Sequence, residues 1–161
     1  MSDLPEILER FRRGPEFVAV VMTGAAGEEV DFSPAPGQWT IRQIARHLAD
    51  SELVGAQRFR MVLAEDNPTL MGHDEKAWAE KLDYAQRKPS ESLEMFRRVR
   101  ADNFELLKNL PESAYGRTGT HSERGRVTLR DLLETYAEHA ENHARQMQRV
   151  RDVWKKNKVK K

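Results

Sequence analysis

Hydrophobic residues recur with a helical period along most of the chain. The clearest stripe runs from about Thr40 to Leu63, where apolar or small side chains alternate in steps of three and four residues. Thr40 and Gln43 have the spacing of a capping box at its start, and Asp66-Asn67-Pro68 stops the pattern at its end. We therefore predict a long helix over this segment.

The same periodicity predicts three further long helices. One runs from about Glu91 to Asn109, and the last runs from about Leu129 to Val153 with Thr128 as its N-cap. The first covers residues 4–21 and is interrupted by Gly14-Pro15, so we expect it to be kinked. Together with the helix at 40–63, these segments predict an all-α fold, a four-helix bundle.

Two shorter segments connect the predicted helices. A short extra helix is expected between helices two and three, from about Glu75 to Ala85 with Asp74 as its cap. The stretch from Glu112 to Arg126 has three glycines and no apolar period, so we predict a loop there.

Composition and charge are typical of one compact domain with a basic end. The chain has 161 residues, of which 39% are hydrophobic and 33% are charged. We assign residues 1–153 to the bundle and 154–161 to a basic tail that we expect to be disordered. Although the net charge of +1 depends on the tail lysines, residues 155–161 contain no aromatic side chain that could stack on bases. We expect no specific nucleic-acid partner.

Several classes of protein are disfavoured by what the sequence lacks. Cysteine is absent, which excludes disulfides, iron–sulfur clusters, thiolate zinc sites and a cysteine nucleophile. The longest apolar run, Phe17 to Met22, is too short to span a bilayer. Because no basic stretch precedes an apolar segment at the N-terminus, we expect no signal peptide, no membrane association and a cytoplasmic protein.

Three of the five histidines fall on stripes that face the predicted core. His139 and His143 are four residues apart in the last helix, and His47 adjoins Leu48 on the inward stripe of helix two. Residues four apart lie on one face of a helix, so two imidazoles can converge on one ion at about 2.0–2.1 Å. We interpret His47, His139 and His143 as candidate ligands of a divalent metal.

Two other interpretations of these histidines are open. Without a metal, the buried imidazoles would need hydrogen-bond partners such as the carboxylate of Asp50. The spacing of His139 and His143 also resembles that of a metalloprotease, but the position of its catalytic glutamate is occupied by Ala140. Metalloprotease chemistry is therefore not indicated.

Several stretches, taken in order, resemble one known family. The pattern Pro36-Gly37-Gln38-Trp39-Thr40-Ile41 is followed by His47-Leu48-Ala49-Asp50 and, far along the chain, by His139-x-x-x-His143-x-x-Gln146. Further similar stretches are Arg58-Phe59-Arg60-Met61, Asp66-Asn67-Pro68 and His121-Ser122-Glu123-Arg124-Gly125. From about Leu4 to Arg151 the chain resembles the DinB-like (YfiT-like) superfamily, small four-helix bundles regarded as metalloenzymes.

This resemblance implies a site, a cofactor and an assembly. A divalent metal, zinc or nickel, would be held by His47, His139 and His143, and the protein would form a homodimer. Activities known in the superfamily include thiol transfer and isomerisation with a low-molecular-weight thiol cosubstrate, and other members are described as metal-dependent hydrolases. The resemblance does not identify a substrate.

Two hypotheses of different classes follow. The first is a metal-dependent enzyme for a small-molecule substrate, a thiol S-transferase or a hydrolase, in which three histidines leave a coordination position open. The alternative is a non-catalytic, metal-binding and dimerising bundle in a stress response. A cleft that reaches the histidines would separate them.

Four further residues are candidates for supporting the site, while the catalytic residues are left open. Asp50, one turn after His47, could orient its imidazole or lie solvated on the helix flank. Tyr136 and Gln146, each three residues from a ligand, could line the pocket, as could His121 in the predicted loop. We interpret His73 as a surface residue.

Overall fold

This computed structural model describes residues 3–160, which contain five helices and three short strands. The helices are α1 (Leu4–Met22), α2 (Ile41–Ala64), α3 (Glu75–Lys81), α4 (Pro89–Leu107) and α5 (Leu129–Val159). The strands are β1 (Thr69–Leu70), β2 (Thr118–His121) and β3 (Gly125–Thr128). Short 3-10 turns occupy Gly27–Glu29, Tyr84–Gln86 and Glu112–Gly116.

The two helices that carry the candidate histidines begin at capping boxes. At the start of α2, the Thr40 hydroxyl accepts a hydrogen bond from the Gln43 backbone N–H, and the Gln43 side chain accepts one from the Thr40 N–H. Thr128 and Asp131 make the same reciprocal pair at the start of α5. These contacts satisfy backbone donors that the first helical turn leaves unpaired, and they confirm both predicted starts.

The four long helices form the predicted bundle. Helix α1 packs against α5, α4 packs against α2, and α2 and α5 meet along one face. Two buried apolar clusters fill the interior, one around Phe11, Phe59 and Leu133 and the other around Ile44 and Met147. The interface of α2 and α5 therefore lies at the centre of the bundle, and the all-α prediction is confirmed.

The predicted loop at 112–126 is wrong in part, because it contains two strands of a small sheet. Strand β2 pairs with β3 in antiparallel register, His121 opposite Gly125, and with β1 in parallel register, Thr69 opposite Thr120. The β1–β2 pairing joins segments that are far apart in the chain, so it leaves no local period in the sequence. The sheet links the end of α2 to the start of α5.

Two predicted helix ends differ by four residues or more. Helix α5 continues to Val159 beyond the predicted end at Val153, and the Trp154 ring packs on Phe32 at 5.3 Å. Lys161 lies outside the described residues, and disorder of the basic tail in solution stays a prediction. The short helix ends at Lys81 rather than Ala85. Helix α1 runs as predicted through Gly14-Pro15 without ending there, with Pro15 inside it.

Within residues 3–160, no helix is both long and apolar enough to cross a membrane.

Candidate metal centre

The imidazoles of His47, His139 and His143 meet between α2 and α5. The Nε2 atom of His139 lies 2.9 Å from Nε2 of His47 and 3.1 Å from Nε2 of His143. Nitrogens that bind one ion at about 2.0–2.1 Å lie about 3 Å apart, so this spacing fits a shared ion. His47 is only 1% exposed. The structure thus brings together all three histidines that the sequence singled out.

Gln146 holds the His143 ring in one tautomer. The His143 Nδ1–H donates to the Gln146 side-chain oxygen at 2.7 Å, because an amide oxygen can only accept. The neutral ring then has its lone pair on Nε2, the atom that faces His139. A hydrogen bond of this kind orients a ligating histidine and raises its basicity. The sequence predicted that Gln146 lines the pocket, whereas the structure places its side chain against Nδ1 of His143.

Burial keeps the three rings neutral. It lowers the pKa of His47 to about 3, with further lowering from His143 and His73. Burial also lowers the pKa of His139 and of His143. Neutral imidazole is the form that binds metals. A proton on one Nε2 atom can form a good hydrogen bond with only one of the two neighbouring Nε2 atoms. A single cation can be bound by all three nitrogens, so the donor set fits a divalent ion.

Asp50 has partners other than the histidines. Its carboxylate forms an ion pair with Arg46 at 2.8 Å and a hydrogen bond with Tyr84. The ring that packs on His47 is that of Trp39, with 4.8 Å between the centroids. Asp50 was predicted as a possible orienting partner of the His47 ring, but its carboxylate pairs with Arg46, one turn earlier on α2.

A cavity of about 190 Å³ adjoins the histidine cluster, and His139 lines it. Tyr136 and His121, both predicted as pocket residues, lie on its wall and are 5% exposed each. The His121 Nδ1 accepts the Glu123 backbone N–H, so the neutral ring carries its proton on Nε2. Burial, with the nearby charges of Arg58 and Arg124, lowers the pKa of His121.

The rest of the wall contains residues that were not predicted from the sequence to lie there. Ser51 and Arg58 follow His47 by four and eleven residues, which puts them on the same face of α2, and this spacing was the signal available. His73 was interpreted as a surface residue, but it is half-buried, stacks on Trp78 at 4.5 Å and lines the cavity.

Gly55 allows the Tyr136 ring to close against α2. A Cβ atom at Gly55 would lie 2.7 Å from two carbons of that ring, closer than side-chain carbons approach. The ring in this position places its hydroxyl 3.1 Å from Nη1 of Arg58, which donates to it. The small residue on the inward stripe of α2 therefore positions one wall of the cavity.

Comparison with known proteins identifies the family. The sequence profile of the DinB superfamily matches residues 10–147, which is most of the chain. The chain belongs to the DinB superfamily. A DinB relative from Oceanobacillus iheyensis, named "Putative metal-dependent hydrolase", is 35% identical over 144 residues, which cover 89% of this chain and 77% of the relative.

YfiT of Bacillus subtilis, with the same description, is 31% identical to this DinB protein over 86% of this chain and 76% of its own length. The solved structure of YfiT, described as a probable metal-dependent hydrolase with an unusual four-helix bundle topology, superimposes with a TM-score of 0.85. That alignment covers 93% of this chain and 88% of YfiT at 25% identity. The fold and family implied by the resemblance are confirmed.

Proposed function

We propose that this DinB protein is a metal-dependent hydrolase whose ion is held by His47, His139 and His143 and whose small-molecule substrate binds in the adjacent cavity. One observation carries the proposal: His139 belongs both to the histidine cluster and to the cavity wall. Because the metal-ligating residue His139 lies on the cavity wall, a substrate in the cavity could reach the ion. A non-catalytic metal-binding bundle does not require such access. The names of the relatives support the same reaction class.

A divalent ion at three histidines supplies Lewis-acid activation of a water molecule or of the group under attack. The chain's own residues do the rest. Gln146 orients His143 through the 2.7 Å hydrogen bond to Nδ1. Burial raises the pKa of Tyr136 to about 12, so its hydroxyl keeps its proton at neutral pH while its oxygen accepts from Arg58. That proton is available to a substrate oxygen in the cavity.

Thiol S-transfer is the alternative reaction that we propose for the same site, because the same ion would lower the pKa of a thiol. The chain has no cysteine, so the thiol would come from a low-molecular-weight cosubstrate. Zinc or nickel as the native metal, a homodimer and a cytoplasmic location stay predictions.

The test is metal content by elemental analysis of untagged wild type, His143→Ala and His73→Ala, prepared in parallel and reconstituted with zinc or nickel. We expect about one ion per chain in wild type and in His73→Ala, and none in His143→Ala, since His73 lies outside the cluster. The loaded proteins are then assayed on ester and amide panels and on thiol-plus-electrophile pairs.

Hydrolysis by the loaded wild type that is lost together with the metal in His143→Ala supports the hydrolase. His73→Ala is the control for metal content only, because His73 lines the cavity. Transfer of a thiol without hydrolysis supports the thiol S-transferase instead. A wild-type protein that binds no metal after reconstitution, or a loaded protein inactive on all panels, refutes the proposal.

A further inference from the structure

Arg58 is a partly buried cation without a carboxylate partner in residues 3–160. Its Nη1 donates to the Tyr136 hydroxyl at 3.1 Å and its Nη2 donates to the Met71 carbonyl at 2.6 Å, both uncharged acceptors. Four other partly or fully buried arginines pair with a carboxylate at 2.8–2.9 Å, namely Arg10, Arg46, Arg100 and Arg151. The guanidinium of Arg58 is held in place by these two bonds, and no described residue forms an ion pair with it.

Two polar atoms on the same wall have no hydrogen-bond partner. In the described part of the chain, three buried side-chain polar atoms lack one, and two of them, Arg58 Nε and Ser51 Oγ, belong to residues that line the cavity. Ser51 is 4% exposed, so its hydroxyl is removed from bulk water. Leaving such groups unpaired costs free energy, and a ligand in the cavity would remove that cost.

The inner wall and the rim of the cavity differ in charge. The buried or half-buried inner residues, Ser51, Arg58, His121 and Tyr136, offer hydroxyl, imidazole and guanidinium donors and no carboxylate. The two carboxylates that also line the cavity, those of Glu75 and Glu123, belong to exposed residues. An anionic group would therefore meet donors as it moves inward, next to His139.

We propose that the inner wall binds an oxyanion, the carboxylate or phosphate group of a small substrate, with Arg58 as its cationic partner and Ser51 as a hydrogen-bond donor. Because His139 lines the same cavity, this would place the bond to be cleaved beside the histidine cluster. The volume of about 190 Å³ is smaller than the roughly 300–1,000 Å³ of sites for drug-sized ligands, so the substrate is a small one. This inference rests on the proposed function for the reaction, but not for the binding of the anion.

The test measures anion binding by the full-length chain, metal-free and zinc-loaded, by isothermal titration calorimetry in low-chloride buffer. The probes are acetate and succinate for carboxylates, and inorganic phosphate and methyl phosphate for phosphates. We expect one class to bind metal-free wild type, with Arg58→Gln weakening it by about tenfold or more because charge-assisted hydrogen bonds are lost. Ser51→Ala should weaken it by about two- to tenfold.

Arg98→Gln is the matched control, because Arg98 is an exposed arginine of α4 far from the cavity wall, paired with Glu94. It should bind the probe as wild type does. If Arg58→Gln does not melt cooperatively, Ser51→Ala and Arg58→Lys decide the question, since Arg58→Lys keeps the charge but loses the planar fork of donors.

Stronger binding of carboxylates or of phosphates supports the proposal and identifies the substrate class. Equal binding by wild type, Arg58→Gln and Ser51→Ala overturns it, as does the absence of binding by any probe. The two proposals fail separately. Anion binding by a protein that binds neither zinc nor nickel refutes only the proposed function, whereas metal binding without anion binding refutes only this inference.

Discussion

The bundle contains two buried polar clusters that differ in whether their polar groups find partners within the protein. The first joins Glu52 of α2 to Arg100 and Asn103 of α4. Both carboxylate oxygens of Glu52 accept from Arg100 at 2.8 Å, and Asn103 adds a third hydrogen bond at 3.0 Å. The remaining Arg100 donors reach the backbone carbonyls of Phe11 and Tyr136. Every charge in this cluster has a partner within the protein.

The second cluster, made of the three histidines and the cavity wall, is not closed in this way. Its imidazole nitrogens face one another, and Ser51 Oγ and Arg58 Nε have no partner among the described residues. Ser51 and Glu52 are neighbours on α2, yet one faces the cavity and the other faces Arg100. A buried polar cluster with all its hydrogen bonds made rigidifies the fold. Buried polar atoms without a partner carry an uncompensated cost, which under our proposal a bound ligand removes.

The largest expected effect comes from breaking the closed cluster. Glu52→Gln leaves the charge of Arg100 buried without its counter-ion, which should lower the free energy of unfolding by about 3–5 kcal/mol. Urea denaturation of metal-free protein measures this loss. The zinc stoichiometry of the folded fraction should not change, because Glu52 is outside the histidine cluster.

The control for this substitution is the double variant Glu52→Leu with Arg100→Met. It removes both charges at once, so it should recover most of the stability that Glu52→Gln loses. A double variant no more stable than Glu52→Gln would show that the ion pair is not the cause of the loss.

A smaller effect is expected when the orientation of one histidine is disturbed. Gln146→Leu removes the acceptor for His143 Nδ1–H and should weaken zinc binding by about 10- to 100-fold, with little change in the stability of the metal-free protein. Competition with a chromophoric chelator measures the affinity. Gln148→Leu, two residues further along α5 and exposed, should bind zinc as wild type does. Equal affinities of the two variants would rule out an orienting role for Gln146.

The smallest effect concerns pH. An unfolded chain protonates His47 near its ordinary pKa of 6.5, but burial lowers the folded pKa to about 3. The unfolded state therefore binds more protons between these values, and stability falls as the pH falls below 6.5. At about pH 5.5 the loss from His47 alone should be about 1.4 kcal/mol.

Denaturation of metal-free wild type and His47→Gln from neutral pH down to about pH 5.5 checks this, in a range that lies above the ordinary carboxylate pKa values. The variant should show the shallower dependence, since glutamine does not titrate. Identical slopes would mean that His47 is protonated in the folded chain.

The long helices and the histidine cluster could be predicted because their signals are local. The stripe of α2, its capping box at Thr40 and the four-residue spacing of His139 and His143 each lie within a few turns of chain. Two such stripes facing one another were enough to bring His47 to the other two histidines. The structure has these residues in contact, as expected.

The remaining features depend on contacts between distant segments. Strand β1 is two residues long and pairs across the fold with β2, so no period could reveal it. Arg58 contacts Tyr136, which is 78 residues away in the chain and packs where Gly55 leaves room for its ring. Arg100 is 1% exposed although arginine is rarely buried, and its partner Glu52 is 48 residues away. Asp50 is an exception, because its partner Arg46 is four residues earlier on α2, a local spacing that was available in the sequence.

His47 and His139 are 92 residues apart in the chain, and this separation determines when an ion can bind during folding. An unfolded chain offers His139 and His143 as a local pair, but the third nitrogen arrives only after the entropy of closing a long loop has been lost. Full ligation of the proposed ion would therefore follow the docking of α2 on α5. Zinc bound at this point should lengthen the lifetime of the folded chain and leave its rate of folding almost unchanged.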